Sequence, residues 1–183
     1  SINKGFRAPS ISELYLDYET TYGLSHVGSP SLNPESVWAV ESGVAVFHHN
    51  EYSLGVNLYY NRYEDMIDFV YALPVKAKNR TDIAAAGFEL SGFYRLWDDG
   101  TIVINYTYLD MEDLLGKDPI LYRPRHKANF MFTSYLFGIT SSLSVNYTSN
   151  QQYEDFLDDW EFENNEVTFP LKWIPAKTLS NIV

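Results

Sequence analysis

The sequence predicts an all-β fold, the wall of an antiparallel up-and-down transmembrane β-barrel, and three observations carry that expectation. Apolar and polar residues alternate with period two, the connections between such segments are by turns very short and very long, and tyrosine is abundant. Leu54, Val56, Leu58 and Tyr60 share one side of an extended chain, with Ser53, Gly55, Asn57 and Asn61 on the other. The pattern returns in Phe88, Leu90 and Tyr94, in Ile102, Ile104, Tyr106 and Tyr108, and in Leu143, Val145 and Tyr147. None of these apolar rows contains a charge. In water such a face needs a second layer to cover it, and the sequence offers neither a helix nor a second set of oppositely patterned strands. Lipid can be that cover, and aromatic residues near the strand ends suit the membrane interface.

The elements follow in order. Strands are expected at about residues 38–47, 52–63, 84–95, 101–111, 123–135 and 139–149, with a seventh starting near Ala176. The links 48–51, 96–100 and 136–138 carry Gly, Asn or Asp and read as short hairpin turns. The links 64–83, 112–122 and 150–175 are much longer, and 5–35 reads as a further long loop. In an up-and-down barrel alternate connections lie on opposite rims, so one rim has tight turns and the other, facing outward, has large loops.

Composition bounds the function. A hydrophobic fraction of 45% over 183 residues excludes simple disorder, and 16% aromatic residues, with 15 Tyr, is a large share suited to interfaces. The absence of a long apolar run excludes a transmembrane helix and says nothing against a barrel. A net charge of -11 argues against a nucleic-acid partner, which would need clustered Lys and Arg. Zero cysteines exclude disulfides and thiolate metal sites. Ser1 opens no secretory signal, since no apolar core follows it. No Gly-x-Ser-x-Gly elbow, His-Glu-x-x-His, P-loop or dinucleotide fingerprint occurs, so neither an enzyme nor a cofactor is expected.

Specific words then appear. Gly5-Phe-Arg-Ala-Pro9 with Glu13-Leu-Tyr15, the box Gly28-Ser-Pro-Ser-Leu-Asn-Pro-Glu35, Gly87-Phe-Glu-Leu-Ser91, Asn105-Tyr-Thr-Tyr-Leu-Asp110 and Arg123-Pro-Arg-His-Lys127 occur in this order. Together they resemble the barrel of TonB-dependent outer-membrane receptors. The resemblance implies energised import of a scarce nutrient such as a ferric siderophore, haem or cobalamin across the bacterial outer membrane. Its partners would be that nutrient, often a metal chelate, the outer-membrane lipid, and an inner-membrane energy-coupling protein acting through a plug. Barrels of this kind have about 22 strands, so residues 1–183 read as an internal part of one, with plug, first strands and final strands outside it. A small complete eight-stranded barrel with a structural or adhesive role is the alternative. A soluble carbohydrate-binding β-sandwich is the third reading.

The candidate site follows from the outer loops. Tyr15, Tyr18, Tyr22, His26, Tyr71 and Trp160 are the aromatics and imidazole placed to touch a flat, partly apolar ligand. His26 lies where haem receptors of this family place a ligating histidine, and it also reads as an ordinary loop residue. Seven acids between Glu154 and Glu166, with no Lys or Arg among them, read as a solvated loop; Asp155, Asp158 and Asp159 are weak candidates for a hard cation. Arg7 and Arg123 read as structural, paired with carboxylates of the kind offered by Glu41 and Glu89. His48 and His49 read as turn residues, and His126 as facing a strand neighbour.

Overall fold

Turn chemistry folds the period-two segments back on one another. The computed structural model describes residues 1–19, 25–70, 74–116, 120–154, 161–163, 166–168 and 171–182. In chain order the elements are β1 (Ile2–Arg7), α1 (Ile11–Tyr15), β2 (Asp17–Glu19), β3 (Ser25–Val27), β4 (Glu35–His48), β5 (Tyr52–Val70), β6 (Val75–Trp97) and β7 (Gly100–Asp113). They continue with β8 (His126–Leu136), β9 (Ile139–Thr148), β10 (Gln151–Glu154), β11 (Glu161–Glu163), β12 (Glu166–Thr168), β13 (Leu171–Ile174) and β14 (Lys177–Ile182). The main sheet runs β1-β4-β5-β6-β7-β8-β9-β14, each strand antiparallel to its neighbours. Among the described residues β1 and β14 do not pair with each other, so the eight strands form an open, up-and-down wall.

The short turns lie where the sequence puts them. Between β8 and β9, Phe137 and Gly138 have φ of 53° and 80°, the left-handed pair whose twist matches the flanking strands. Between β4 and β5, His49 has φ of 44° and the Glu51 N–H donates to the His48 carbonyl at 2.9 Å.

Register sorts the side chains. Val44, Val56 and Leu90 are successive partners across β4, β5 and β6, as are Ser42, Leu58 and Phe88, and then Tyr108 and His126. This face carries Val44 at 65%, Leu54 at 55% and Leu58 at 54% exposure, and no described element covers it. From Tyr52 to Tyr60 it spans nine residues, the length of one tilted membrane crossing. The other face is polar: Asn57, Glu89, Thr107 and Lys127 are successive partners. So are Ser91, Asn105, Asn129 and Asn146, and the Asn129 amide donates to Asn146 Oδ1 at 2.7 Å. The sheet is a barrel wall, apolar outside and polar inside.

Four expectations need correction. The segment 5–35 is not a bare loop, for β1 pairs with β4 along Ile2–Arg7, and α1 is a five-residue helix where none was expected. The link 64–83 is mostly strand, because β5 and β6 run on to Val70 and from Val75. The link 150–175 contains two paired segments, β10 with β13 and β11 with β12. The strand expected from residue 123 begins at His126, since Tyr122 is left-handed at φ 56° and Pro124 has no N–H to donate.

Candidate functional site

Beyond the outer tyrosines the wall continues as a ribbon. β5 runs ten residues past Tyr60, about 30 Å at roughly 3.3 Å per residue. A register shift between Tyr63 and Met66 marks the transition, and Asp65 there takes φ of 58°. That bulge bends the ribbon and changes which side chains share a face. The most buried apolar residues of the described chain lie mainly here: Val70 at 2%, Val75 at 4% and Ala77 at 0% exposure.

The segment between β1 and β4 is fastened to this ribbon. β3 pairs in parallel with β6 through His26 with Val75 and Val27 with Lys76. Asn79 on β6 accepts from the Asn33 N–H at 2.8 Å and donates to the carbonyls of Asn33 at 3.0 Å and Asp65 at 2.6 Å. One side chain thus ties the proline-rich box to the bulge.

An ionic knot closes the other side. Arg7, at the end of β1, donates Nε and Nη2 to the two Glu35 oxygens at 2.6 Å each, and it reaches Glu13 at 2.9 to 3.1 Å. Glu13 also accepts from the Ser10 N–H at 2.6 Å while Ser10 Oγ accepts from the Glu13 N–H, a capping box that starts α1. Glu35 further accepts from the Ile67 N–H of the ribbon at 2.8 Å. The Arg7 hydrogen bonds hold Glu13 down to about 2 and Glu35 below the ordinary carboxylate range, against the opposing cost of burial. The same bonds push the guanidinium further up. Arg7 is therefore structural, as its sequence suggests, but its partners are Glu13 and Glu35 rather than Glu41 and Glu89.

Gly28 completes the fastening. Its N–H donates to the Leu16 carbonyl at 2.6 Å, and the Ser29 N–H to the Glu13 carbonyl at 2.8 Å. A Cβ at Gly28 would lie 2.6 Å from Leu14 C and Tyr15 N, so only glycine allows this approach to α1.

Of the expected ligand residues, Tyr18 and His26 are direct partners across the β2–β3 pair. Tyr15 and Tyr18 are exposed, at 68% and 57%. His26 is half-buried, and its enclosed Nδ1 has no hydrogen-bond partner among the described residues. Tyr22, Tyr71, Trp160, Asp155, Asp158 and Asp159 lie outside the described residues. Among the described residues no three His, Asp or Glu side chains cluster to hold a metal ion. His126 accepts or donates to the Tyr106 hydroxyl through Nδ1 at 2.7 Å, the strand neighbour expected for it, and His48 stacks on Tyr52 beside its turn. The sequence reading missed Glu13, Glu35 and Asn79. Ser10-Ile-Ser-Glu13 is a legible capping box, whereas nothing local marks Asn79.

The family model described as TonB-dependent receptor-like, β-barrel, matches residues 1–182. Among solved structures the chain is similar to the copper transporter OprC, with a TM-score of 0.72 at 14% identity, covering 99% of this chain and 27% of that one. It is also similar to the siderophore receptor PirA from Acinetobacter baumannii, with a TM-score of 0.73, 15% identity and coverage of 99% and 31%. The ferric enterobactin receptor PfeA from Pseudomonas aeruginosa, as a mutant, gives 0.69, 15%, 99% and 29% in the same terms. At such identities the likeness shows the fold. The chain spans less than a third of the length of these three proteins. No curated protein sequence matches it.

Proposed function

This chain belongs to the TonB-dependent receptor β-barrel family, and from that premise we propose that it is wall and outer rim of a bacterial outer-membrane receptor importing a scarce nutrient. The nutrient class is a ferric siderophore, haem or cobalamin, with metal chelates favoured. A plug carried elsewhere in the receptor would couple the barrel to the inner-membrane energy-coupling protein, and the role is transport rather than catalysis. The observation that carries this reading is the rim itself. Strands that needed only to cross lipid would end near Tyr60, yet β5 and β6 continue outward and are fastened to α1, β2 and β3 by Arg7, Asn79 and Gly28. Such fastening offsets the entropy of ordering a loop, and it fixes exposed Tyr15 and Tyr18 as a platform for a partly apolar ligand.

The test uses the whole receptor in a bacterial strain stripped of its own receptors, with iron supplied only as individual chelates or as haem and, separately, with cobalamin demand imposed. Growth that requires both the receptor and the energy-coupling protein supports the reading. Growth on none of the three nutrient classes, or growth indifferent to the coupling protein, overturns it.

A further inference from the structure

Two links on the short-turn rim are equally tight and opposite in chemistry. Between β6 and β7 the turn is Asp98-Asp99, and between β8 and β9 it is Phe137-Gly138. The link between β4 and β5, His49-Asn50-Glu51, is polar as well. Phe137 is 99% exposed, more than any other large apolar side chain of the described residues. Its φ of 53° lies in the left-handed region, where Asn, Asp or Gly is the ordinary choice and a bulky ring is disfavoured. Exposure to water and backbone strain both count against a phenyl ring at this corner, and an apolar medium around it would offset them.

The surface leading to the corner is the lipid-facing one. Leu136 and Ile139, both exposed, close the hairpin as direct partners. They stand in step with Phe132 and Leu143 and with Phe130 and Val145, and the β7 partners of Phe132 and Phe130 are Ile102 and Ile104. Ser134 and Ser141 interrupt this row, yet Ser134 is buried, and its partner Gly100 lies so close under the Trp97 ring that a Cβ there would overlap it. Trp97 in turn meets Phe132 edge-on at 6.3 Å. The outward apolar surface therefore reaches the tip without a charge.

Length and side-chain chemistry place the corner at the membrane boundary rather than beyond it. β8 has eleven residues and β9 has ten. One tilted crossing takes about 9–11 residues, so little strand is left to carry the turn past the lipid. On neighbouring strands the same rim ends outward in Tyr52, Tyr94 and Trp97, whose hydroxyl or N–H can meet water while the ring meets lipid. The β8–β9 hairpin ends in Leu136, Phe137 and Ile139, which have no polar end. The Tyr135 N–H donates to the Asp99 carbonyl at 2.8 Å, so the acidic turn is the immediate neighbour. Tilted barrel strands stagger adjacent hairpins along their length, so the two residues of β8 and its turn beyond Tyr135 do not carry Phe137 toward water by their full length.

We propose that the β8–β9 turn is sunk into the lipid leaflet at the short-turn rim, with the Phe137 ring among acyl chains just below the headgroups, while the links 49–51 and 98–99 stand in water. The occupant of this exposed apolar tip is lipid, because the tip continues the lipid-facing row of the wall. The proposal departs from the general pattern in which short turns lie outside the lipid, and it rests on the wall's two faces rather than on import. A two-residue turn suits such a depth, since its closing pair leaves few peptide groups unpaired in a medium that cannot satisfy them.

The experiment places an environment-sensitive fluorophore on a single cysteine in the full receptor, as F137C, D98C or V145C, with any cysteine elsewhere replaced by serine. Each variant is reconstituted in vesicles of phosphatidylethanolamine and phosphatidylglycerol, and heat-modifiable gel mobility reports whether it is folded. Quenching is measured with iodide on both sides of the bilayer and with lipids carrying a nitroxide near the headgroup or deep in the acyl chain. Expected are quenching of the label at 137 by the shallow nitroxide, and iodide quenching there about threefold or more weaker than at 98. Equal iodide quenching at 137 and 98 overturns the proposal. With lipid quenching at 145 that result sinks the turn alone, whereas absence of lipid quenching at 145 removes the lipid face of the wall and the proposal with it. Should F137C fail to fold, I139C takes its place, and iodide quenching equal to that at 98 is again the refuting result. Shielding at 137 that is present in native membranes and lost in the pure lipid vesicles assigns the tip to a protein partner and also overturns the proposal.

Discussion

Replacing Arg7 by alanine tests whether the outer rim is one fastened unit. Arg7 makes a two-pronged bond to Glu35 and a second contact to Glu13, whose carboxylates are 17% and 14% exposed while the guanidinium is 47% exposed. A carboxylate lowered from the ordinary range to about 2, as Glu13 is, corresponds to at most roughly 3 kcal/mol of preference for the paired state. Screening of the half-exposed arginine reduces this, so the expected loss is about 1–2 kcal/mol. The wall does not depend on the knot, and the loss should appear as local opening rather than global unfolding. Hydrogen exchange of residues 10–35 in the full receptor should accelerate about tenfold, since each 1.4 kcal/mol is a factor of ten, while exchange in β7 to β9 stays unchanged. Arg7→Lys, which keeps the charge and loses the fork, should fall between. The pH dependence has a definite sign. Both folded carboxylates titrate below their unfolded values, so the contribution is fully present above the ordinary carboxylate range and is lost as pH falls through that range toward about 2. Exchange in 10–35 that is unchanged by Arg7→Ala at neutral pH would refute the reasoning.

Three other perturbations probe separate parts. Gly28→Ala places a Cβ against the α1 backbone and should loosen the same segment by about 2–3 kcal/mol, read as faster limited proteolysis between residues 8 and 35; unchanged cleavage would show that the close approach is not kept in solution. Val56→Arg, at the middle of the apolar face, should cost about 2–4 kcal/mol in refolding of the full receptor into lipid vesicles, while Asn57→Arg on the polar face should cost far less; equal losses would remove the assignment of lipid and inner faces. Asn79→Ala deletes three hydrogen bonds and should cost about 1–3 kcal/mol of rim stability, measured by exchange at Asn33 and Ile67, with no change there counting against its bridging role.

The wall was legible because lipid imposes a strict rule on it. Every backbone group must pair within the sheet and outward side chains at membrane depth are mostly apolar, so Leu54, Val56, Leu58 and Tyr60 could be read directly as one face. Above the bulge at Asp65 neither condition applies. The register shift between Tyr63 and Met66 changes the phase of alternation, and the charged residues Glu64, Asp65 and Asp68 resemble loop chemistry. Val75-Lys-Ala-Lys78 did carry a period-two signal, with Val75 and Ala77 buried, but four residues are too few to outweigh the expectation of a long loop. β1 was missed for a related reason: it is a short strand whose pairing partners, from Glu35 for Arg7 to Val40 for Ile2, lie far away in sequence.

The candidate site was legible as words before it was legible as geometry. The two rim words, Gly5-Phe-Arg-Ala-Pro9 with Glu13-Leu-Tyr15 and Gly28-Ser-Pro-Ser-Leu-Asn-Pro-Glu35, look independent in sequence. In the structure they are one object. Arg7 of the first holds Glu35 of the second, Glu13 of the first accepts the Ser29 N–H of the second through its carbonyl, and Gly28 lies against the turn of helix that Ser10 and Glu13 cap. The third word, Arg123-Pro-Arg-His-Lys127, works differently: its proline is buried and its backbone is stitched to β7 and β10, while among the described residues Arg125 pairs with Asp110 and Arg123 reaches only the Tyr122 carbonyl. Guanidinium groups whose donors are consumed, as at Arg7, hold a fold together. Arg123, by contrast, makes one long contact to a carbonyl and no ion pair among the described residues, and the sequence alone could not separate the two because the difference lies in where the carboxylates end up.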